Sequence, residues 1–160
     1  MAVQIPKNAA HFSVVAYPSH KISETVLKIR GFLCLFPKFY PALNNCYTEA
    51  SPYPSVKENG TDYLLTAVKM EDYLKLYESS PKDRENPYFA PLLEKDLSDL
   101  PDTLILTAEF DPLRDEGEEF GKRLKEAGNQ VEIHRIQDAL HGFFALGVKY
   151  YHVQESFAII

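Results

Sequence analysis

Two nearly continuous apolar runs mark the strongest predicted strands of the chain. The first covers residues 29–36 and ends at Pro37, and the second covers residues 103–108 and ends at acidic residues. Short runs without polar alternation are typical of strands that are buried on both faces, as in a parallel sheet. A third run, residues 130–136, alternates apolar and polar positions, which predicts a strand that is more exposed.

Apolar and charged residues at helical spacing predict helices in the segments between the strands. Between residues 61 and 77 apolar residues recur at steps of three and four, which predicts a helix with Thr61 or Asp62 as its N-cap. A second helix is predicted to start at Asp111 as N-cap, with acidic first turns, basic last turns and Gly128 as its end. Alternating strands and helices predict an α/β fold with right-handed parallel crossovers.

The remaining segments have less regular patterns. Residues 1–28 show no sustained period and stay unassigned, so we treat residues 29–160 as one domain. Residues 37–60 carry several prolines and predict an irregular excursion; loops of that length often serve as lids or binding loops. Residues 137–140 are predicted to form a short loop, and residues 143–160 are apolar and aromatic enough to begin a final helix.

Composition excludes several classes of function. Of 160 residues 45% are hydrophobic and 25% are charged, and the net charge of −6 includes no basic cluster, so we expect no nucleic-acid partner. The apolar runs are shorter than the ~20 residues that a membrane span needs. Residues 1–10 do not resemble a secretory signal, and Cys34 and Cys46 form no CxxC or disulfide framework. We therefore expect a cytoplasmic chain that holds no metal and no cofactor.

Two residues that follow predicted strands are candidates for catalysis. Asp111 comes just after residues 103–108, and His141 follows the next predicted strand, so in a parallel sheet both lie at the carboxyl edge where ligands bind. In serine and cysteine hydrolases a histidine takes the proton of the nucleophile, and a carboxylate orients and stabilises that histidine. Each residue also has a structural alternative, because Asp111 suits a helix N-cap and His141 suits a half-buried position on a loop.

A nucleophile is harder to find than the acid and the base. The sequence contains no Gly-x-Ser-x-Gly segment, which in α/β-hydrolases forms the sharp turn that exposes the serine. Ser51 and Ser55 lie in the segment that is predicted to be irregular, without a strand-to-helix turn around them. The sequence therefore predicts an acid and a base whose nucleophile is missing.

Several short motifs together resemble a known family. They are Asn-Pro at 86–87, Pro-Leu at 91–92, Leu-Pro at 100–101, the strand at 104–108, Asp-Pro-Leu-Arg-Asp-Glu at 111–116 and His-Gly-Phe at 141–143. Over roughly residues 29–145 the chain resembles the carboxyl half of the hormone-sensitive-lipase-like group of α/β-hydrolases. The resemblance implies a partial α/β-hydrolase fold, with a mostly parallel sheet of about three strands flanked by helices. It also implies a carboxylic-ester hydrolase acting on a small ester, with Asp111 as the triad acid and His141 as the base.

The departures from this family bear on activity. Its members carry, upstream, a His-Gly-Gly-Gly oxyanion loop and a Gly-Asp-Ser-Ala-Gly elbow, and neither occurs here. We therefore expect a fragment that is inactive by itself and that self-associates, pairs with a missing amino-terminal half, or is marginally stable. The alternative is a non-catalytic truncated remnant, or a binding or self-association module.

Overall fold

The computed structural model describes residues 15–16, 33–34, 51–87, 90–100 and 102–160. Its strands and α-helices in chain order are β1 (Val15–Ala16), β2 (Leu33–Cys34), α1 (Pro54–Asn59), α2 (Ala67–Tyr77), β3 (Thr103–Phe110), α3 (Arg114–Glu126), β4 (Val131–Leu140) and α4 (Tyr151–Ile159). Three short 3-10 helices cover Pro81–Glu85, Pro91–Leu93 and Phe143–Leu146. The predicted final helix is thus divided, since Gly147, with a φ of 86°, lies between its two parts.

The four strands form one sheet in the order β2-β1-β3-β4. Strands β3 and β4 are parallel neighbours, with Thr103 opposite Val131 and Ala108 opposite Ile136. This pairing confirms that the second and third predicted strands lie side by side. The sheet differs from the predicted three mostly parallel strands, because β1 pairs antiparallel with both β2 and β3 and so separates them.

The amino-terminal predictions are tested only in part. Leu33–Cys34 is the described part of the strand predicted at 29–36, and Val15–Ala16 lies within the unassigned segment 1–28. Helix α1 lies inside the segment 37–60 that was predicted to be irregular, and it begins at Pro54. Proline is well suited to the first helical position because its φ is already helical. Residues 37–50 lie outside the described part of the chain.

The predicted helix at 61–77 begins six residues later than expected. Helix α2 starts at Ala67, and its N-cap is Thr66, whose Oγ1 accepts a hydrogen bond from the Lys69 N–H at 3.3 Å. Asp62 has a φ of 65°. That left-handed conformation cannot continue a right-handed helix, so the prediction of Thr61 or Asp62 as the cap was wrong.

Helices cover both faces of the sheet, and the core lies between the layers. The neighbouring residues Ile105 and Leu106 of β3 are both fully buried. Ile105 belongs to the same buried cluster as Leu124 of α3, whereas Leu106 clusters with Val153 of α4. Successive side chains of a strand point to opposite faces, so α3 and α4 cover different faces. The α/β class and a β3 strand buried on both faces are therefore confirmed.

Helix α3 approaches the sheet closely at one glycine. A Cβ atom on Gly121 would lie 2.7 Å from Cδ1 of Ile105 and 2.7 Å from Cδ1 of Ile133. Beyond the helix, Gly128 has a φ of 93°, which is the left-handed conformation common just after a helix end and agrees with the predicted stop. In the described ranges, no helix is both long and apolar enough to cross a membrane.

Candidate active site

Asp111 lies directly after β3, fully buried, in the turn that leads to α3. Its Oδ1 accepts a hydrogen bond from the Leu113 N–H at 2.9 Å, and its main-chain oxygen accepts one from the Arg114 N–H at 3.1 Å. Because this turn comes first, α3 begins at Arg114, and the prediction that Asp111 is the N-cap was wrong by two residues. Only one carboxylate oxygen is used in the turn, and the other can serve a second partner.

His141 provides that second partner. It follows β4 directly and is 5% exposed, and its main-chain N–H donates to the Phe110 oxygen at 3.3 Å. The His141 Nδ1 atom lies 3.1 Å from Asp111 Oδ2. A carboxylate oxygen can only accept, so Nδ1 donates and the imidazole is held as the tautomer with its hydrogen on Nδ1. The next residue, Gly142, turns the chain away with a φ of 76°.

The structure thus brings the two sequence-predicted site residues into one buried pair at the carboxyl ends of β3 and β4. A pair of this kind is shielded from water, which strengthens the attraction between the carboxylate and a protonated ring. The arrangement can hold a histidine in one orientation and stabilise it when it takes up a proton. The catalytic roles of Asp111 and His141 stay a prediction.

The alignment of this pair depends on an irregularity between the two strands. Ala108 lies opposite Ile136, but the next paired residues are Phe110 and Leu140. Glu109 therefore faces the three residues 137–139. The loop predicted at 137–140 was wrong, because β4 continues through this segment to its last residue.

Polar side chains of α1 hold the turn that carries Asp111. The Asn59 amide Nδ2 donates to the main-chain oxygens of Glu109 and Asp111, at 3.3 Å in each case. The Ser55 Oγ donates to the Pro112 oxygen at 2.9 Å. Sequence reasoning missed these residues because they lie more than 50 positions from Asp111, within a segment that was predicted to be irregular.

A charged cluster joins α1 to the start of α3. Arg114 donates to Asp115 Oδ1 at 2.7 Å and to Glu58 Oε2 at 2.7 Å, and the Ser55 N–H donates to Asp115 Oδ2 at 2.7 Å. Burial acts to raise the pKa of Asp115, but the hydrogen bonds from Arg114 and Ser55 outweigh it, so this pKa lies below its usual value. Asp115 is therefore held as a carboxylate that links the two helices.

One buried carboxyl group near the beginning of α3 has a different environment. Glu116 is 1% exposed, and its Oε1 has no hydrogen-bond partner. Burial raises the pKa of Glu116 well above its usual value. The sequence pattern identifies Glu116 only as one of several acidic residues in the first turns of a helix, whereas the structure places its carboxyl group where burial favours the neutral form.

The other candidate groups are used in local structure. Ser51 Oγ accepts a hydrogen bond from the Tyr53 N–H at 3.2 Å. Ser55 is fully buried, and its Oγ also accepts from the Asp115 N–H at 3.2 Å. Over the part of the chain that the structure describes, no group of three or more histidine, cysteine, aspartate or glutamate side chains could hold a metal ion.

Comparison with known proteins gives the family. The sequence profile of the α/β-hydrolase fold matches residues 9–145. An arylesterase of Saccharolobus solfataricus is 45% identical over 82 residues, which are 51% of this chain and 27% of that protein. An ethyl acetate hydrolase of Pseudomonas putida is 38% identical over 94 residues, which are 59% of this chain and 30% of that protein.

Solved structures show the same likeness. A hyperthermophilic esterase from the archaeon Pyrobaculum calidifontis superposes with a TM-score of 0.61 at 37% identity, over 76% of this chain and 39% of that one. The chain thus spans well under half the length of these relatives. Since the family profile covers most of the chain and the similar structures are esterases, the chain belongs to the hormone-sensitive-lipase-like esterase group of the α/β-hydrolase fold.

Proposed function

We propose that this chain supplies the acid and the base of a serine carboxylesterase, with Asp111 as the acid and His141 as the base. The observation that carries the proposal is the buried contact of 3.1 Å between Asp111 Oδ2 and His141 Nδ1 at the carboxyl ends of two parallel strands. Ligands bind at this edge in open α/β sheets. A helix N-cap or an isolated loop histidine does not require the two side chains to meet.

The chemistry follows from the tautomer. With its hydrogen on Nδ1, His141 has Nε2 as the atom that accepts the proton of a serine hydroxyl while the serine oxygen attacks the ester carbonyl. The ring then carries a positive charge, which Asp111 stabilises, and it gives the proton to the departing alcohol oxygen as the acyl-serine forms. A water molecule repeats the sequence, so that the acyl group leaves as a carboxylic acid and the serine regains its proton.

The substrate class is taken from the relatives. One similar protein is named an ethyl acetate hydrolase and another an arylesterase, so small esters with short acyl groups are the substrates we propose. These names describe the relatives, and the same substrate class is proposed for this chain once its site is completed by the missing residues.

The serine and the oxyanion donors are proposed to come from another segment. The sequence contains neither a Gly-x-Ser-x-Gly elbow nor a His-Gly-Gly-Gly loop. Loss of a single oxyanion donor costs about 10²- to 10³-fold in kcat, and an acid and a base without a nucleophile retain little of the mechanism. We therefore propose that the chain pairs with an amino-terminal hydrolase segment that carries both, and that the two together form the complete site.

The test is reconstitution. The purified chain is mixed with an amino-terminal segment of the Pseudomonas putida ethyl acetate hydrolase that carries its nucleophile elbow, and hydrolysis of p-nitrophenyl acetate is measured. If the two do not associate, they are joined by a flexible linker. We expect background rates from the chain alone and hydrolysis from the pair. A His141→Ala variant should abolish that hydrolysis, whereas His134→Ala, within the strand that precedes His141, should leave it unchanged.

Each outcome decides between the candidates. Hydrolysis that survives in His141→Ala would refute the role of this residue as the base. A folded, associated pair without hydrolysis would favour the alternative, a non-catalytic binding module.

A further inference from the structure

We propose that Glu109 is a positioning residue, which sets the place of His141 by holding the irregular segment of β4. The inference rests on the proposed function for its catalytic consequence, but its structural part can be measured without any activity. Glu109 is distinct from the acid and the base, and its carboxylate accepts a hydrogen bond from the main-chain N–H of Asp138.

The first observation is the strand register. Along most of their length β3 and β4 advance together, one residue for one residue, up to the Ala108 and Ile136 pair. The next pair is Phe110 and Leu140, so β4 uses three intervening residues where β3 uses only Glu109. Such bulges re-aim side chains, and they are rare between parallel strands.

The bulge changes which residue meets Asp111. If the one-for-one register continued past Ala108 and Ile136, the residue opposite Asp111 would be Ala139. The two additional residues bring His141 to that level instead, and its N–H reaches the Phe110 oxygen at 3.3 Å. Each residue of a strand rises about 3.3 Å, so a slip of one residue exceeds the tolerance of the hydrogen bond between His141 and Asp111.

The second observation is a conformation that needs support. Asp138, at the centre of the bulge, has a φ of 56°, in the left-handed region. Aspartate tolerates this region better than most residues, but the conformation is still less favourable than a right-handed or extended one. The Asp138 N–H donates to Glu109 Oε2 at 2.8 Å, across the two strands. The Glu109 carboxylate thus accepts a hydrogen bond from the residue that adopts this unfavourable backbone conformation.

The third observation is that Glu109 is itself fixed. Its main-chain oxygen accepts hydrogen bonds from Arg114 Nη1 at 2.9 Å and from Asn59 Nδ2 at 3.3 Å. Its side chain therefore extends from an anchored backbone next to Asp111. The same residue links the turn that carries the acid to the bulge that precedes the base, and this link keeps the two at a constant separation.

The experiment is NMR on the full chain. In the wild type we expect a downfield Nδ1 proton resonance from His141, and slow exchange of the Asp138 amide hydrogen although that residue is exposed. Glu109→Ala should accelerate the exchange and shift the Nδ1 resonance upfield or remove it. Glu109→Gln keeps an acceptor oxygen and should preserve both signatures. Glu132→Ala is the matched control, because this exposed glutamate lies at the other end of β4.

A rescue variant separates positioning from general stability. Glycine adopts a positive φ without strain, so Asp138→Gly added to Glu109→Ala should restore part of the Nδ1 resonance. In the reconstituted esterase, Glu109→Ala should lower kcat about 10- to 100-fold with little change in KM. A melting temperature close to that of the wild type is expected throughout, since Asp138 and its hydrogen bond to Glu109 are exposed.

The outcomes are separable. An unprotected Asp138 amide in the wild type, or an unchanged Nδ1 resonance in a folded Glu109→Ala variant, would overturn the positioning role. If Glu109→Ala does not fold, the wild-type exchange and the Glu109→Gln spectrum decide the matter. Resonances that behave as expected in a reconstituted pair that hydrolyses no ester would overturn the proposed function while leaving the positioning role intact.

Discussion

Replacing the buried carboxyl group of α3 should change how stability depends on pH. Glu116 is 1% exposed, Oε1 has no hydrogen-bond partner, and burial raises its pKa well above the usual value of 4.5. Below about pH 4.5 the group is protonated in both the folded and the unfolded chain, so its titration contributes no pH dependence there. Glu116→Gln is the perturbation, because glutamine has nearly the same shape and stays neutral at every pH.

The sign follows from proton binding. Above about pH 4.5 the unfolded carboxyl group loses its proton while the folded one keeps it, so the unfolded chain binds fewer protons and the free energy of unfolding falls as pH rises. The fall amounts to roughly 1.4 kcal/mol for each pH unit and ends at the native-state pKa of Glu116. The glutamine variant lacks this loss. Its stability relative to the wild type should therefore increase with pH over that window.

Urea unfolding followed by circular dichroism between pH 4.5 and 8 measures the difference. The glutamine amide has two N–H donors where the protonated carboxyl group has one, and a buried donor without a partner lowers the free energy of unfolding by about 1–3 kcal/mol. This loss is the same at every pH. The test is therefore the change of the free energy of unfolding with pH, and not its absolute value. Glu126→Gln, an exposed position of the same helix, is the matched control and should follow the wild type. Parallel curves for Glu116→Gln and the wild type would refute the assignment of a neutral, buried carboxyl group.

Two further substitutions test the fold. Gly121→Ala should lower the free energy of unfolding by about 1 kcal/mol. Overpacking against two isoleucine side chains costs about 1–3 kcal/mol, and the gain in helix propensity offsets up to about 1 kcal/mol of this cost. A variant that is more stable than the wild type in urea unfolding would show that α3 shifts freely. Thr66→Ala should lower stability by about 1 kcal/mol and Thr66→Ser by much less, since only alanine removes the cap of α2; equal losses in thermal unfolding would contradict a capping role.

The parts of the fold that the sequence predicts are those with strong local patterns. The run at 103–108 became the buried strand β3, and the acidic start and the Gly128 end framed α3, because apolar periodicity and charge act within a few residues. The meeting of Asp111 and His141 followed from the rule that parallel strands share an edge. These inferences needed no knowledge of distant contacts.

The parts that were missed depend on distant contacts. The start of α2 is displaced because Asp62 adopts a left-handed conformation, which the apolar spacing does not reveal. Asn59 reaches the turn of Asp111 from more than 50 residues away. Asp138 is held in the bulge by Glu109, 29 residues earlier, so residues 137–140 looked like a loop although they continue the strand. Hydrogen bonds between separate elements leave no periodic trace in a sequence.

We propose that Asp111 and His141 act together as the acid and the base of an esterase. The most direct measurement is kcat for p-nitrophenyl acetate in the reconstituted pair, with Asp111→Asn compared with Asp102→Asn, an exposed aspartate of the described chain. Asparagine at position 111 favours the wrong imidazole tautomer, so kcat should fall on the order of 10⁴-fold, while the control keeps the wild-type value. An Asp111→Asn variant that is folded and as active as the control would contradict the role of Asp111 as the acid.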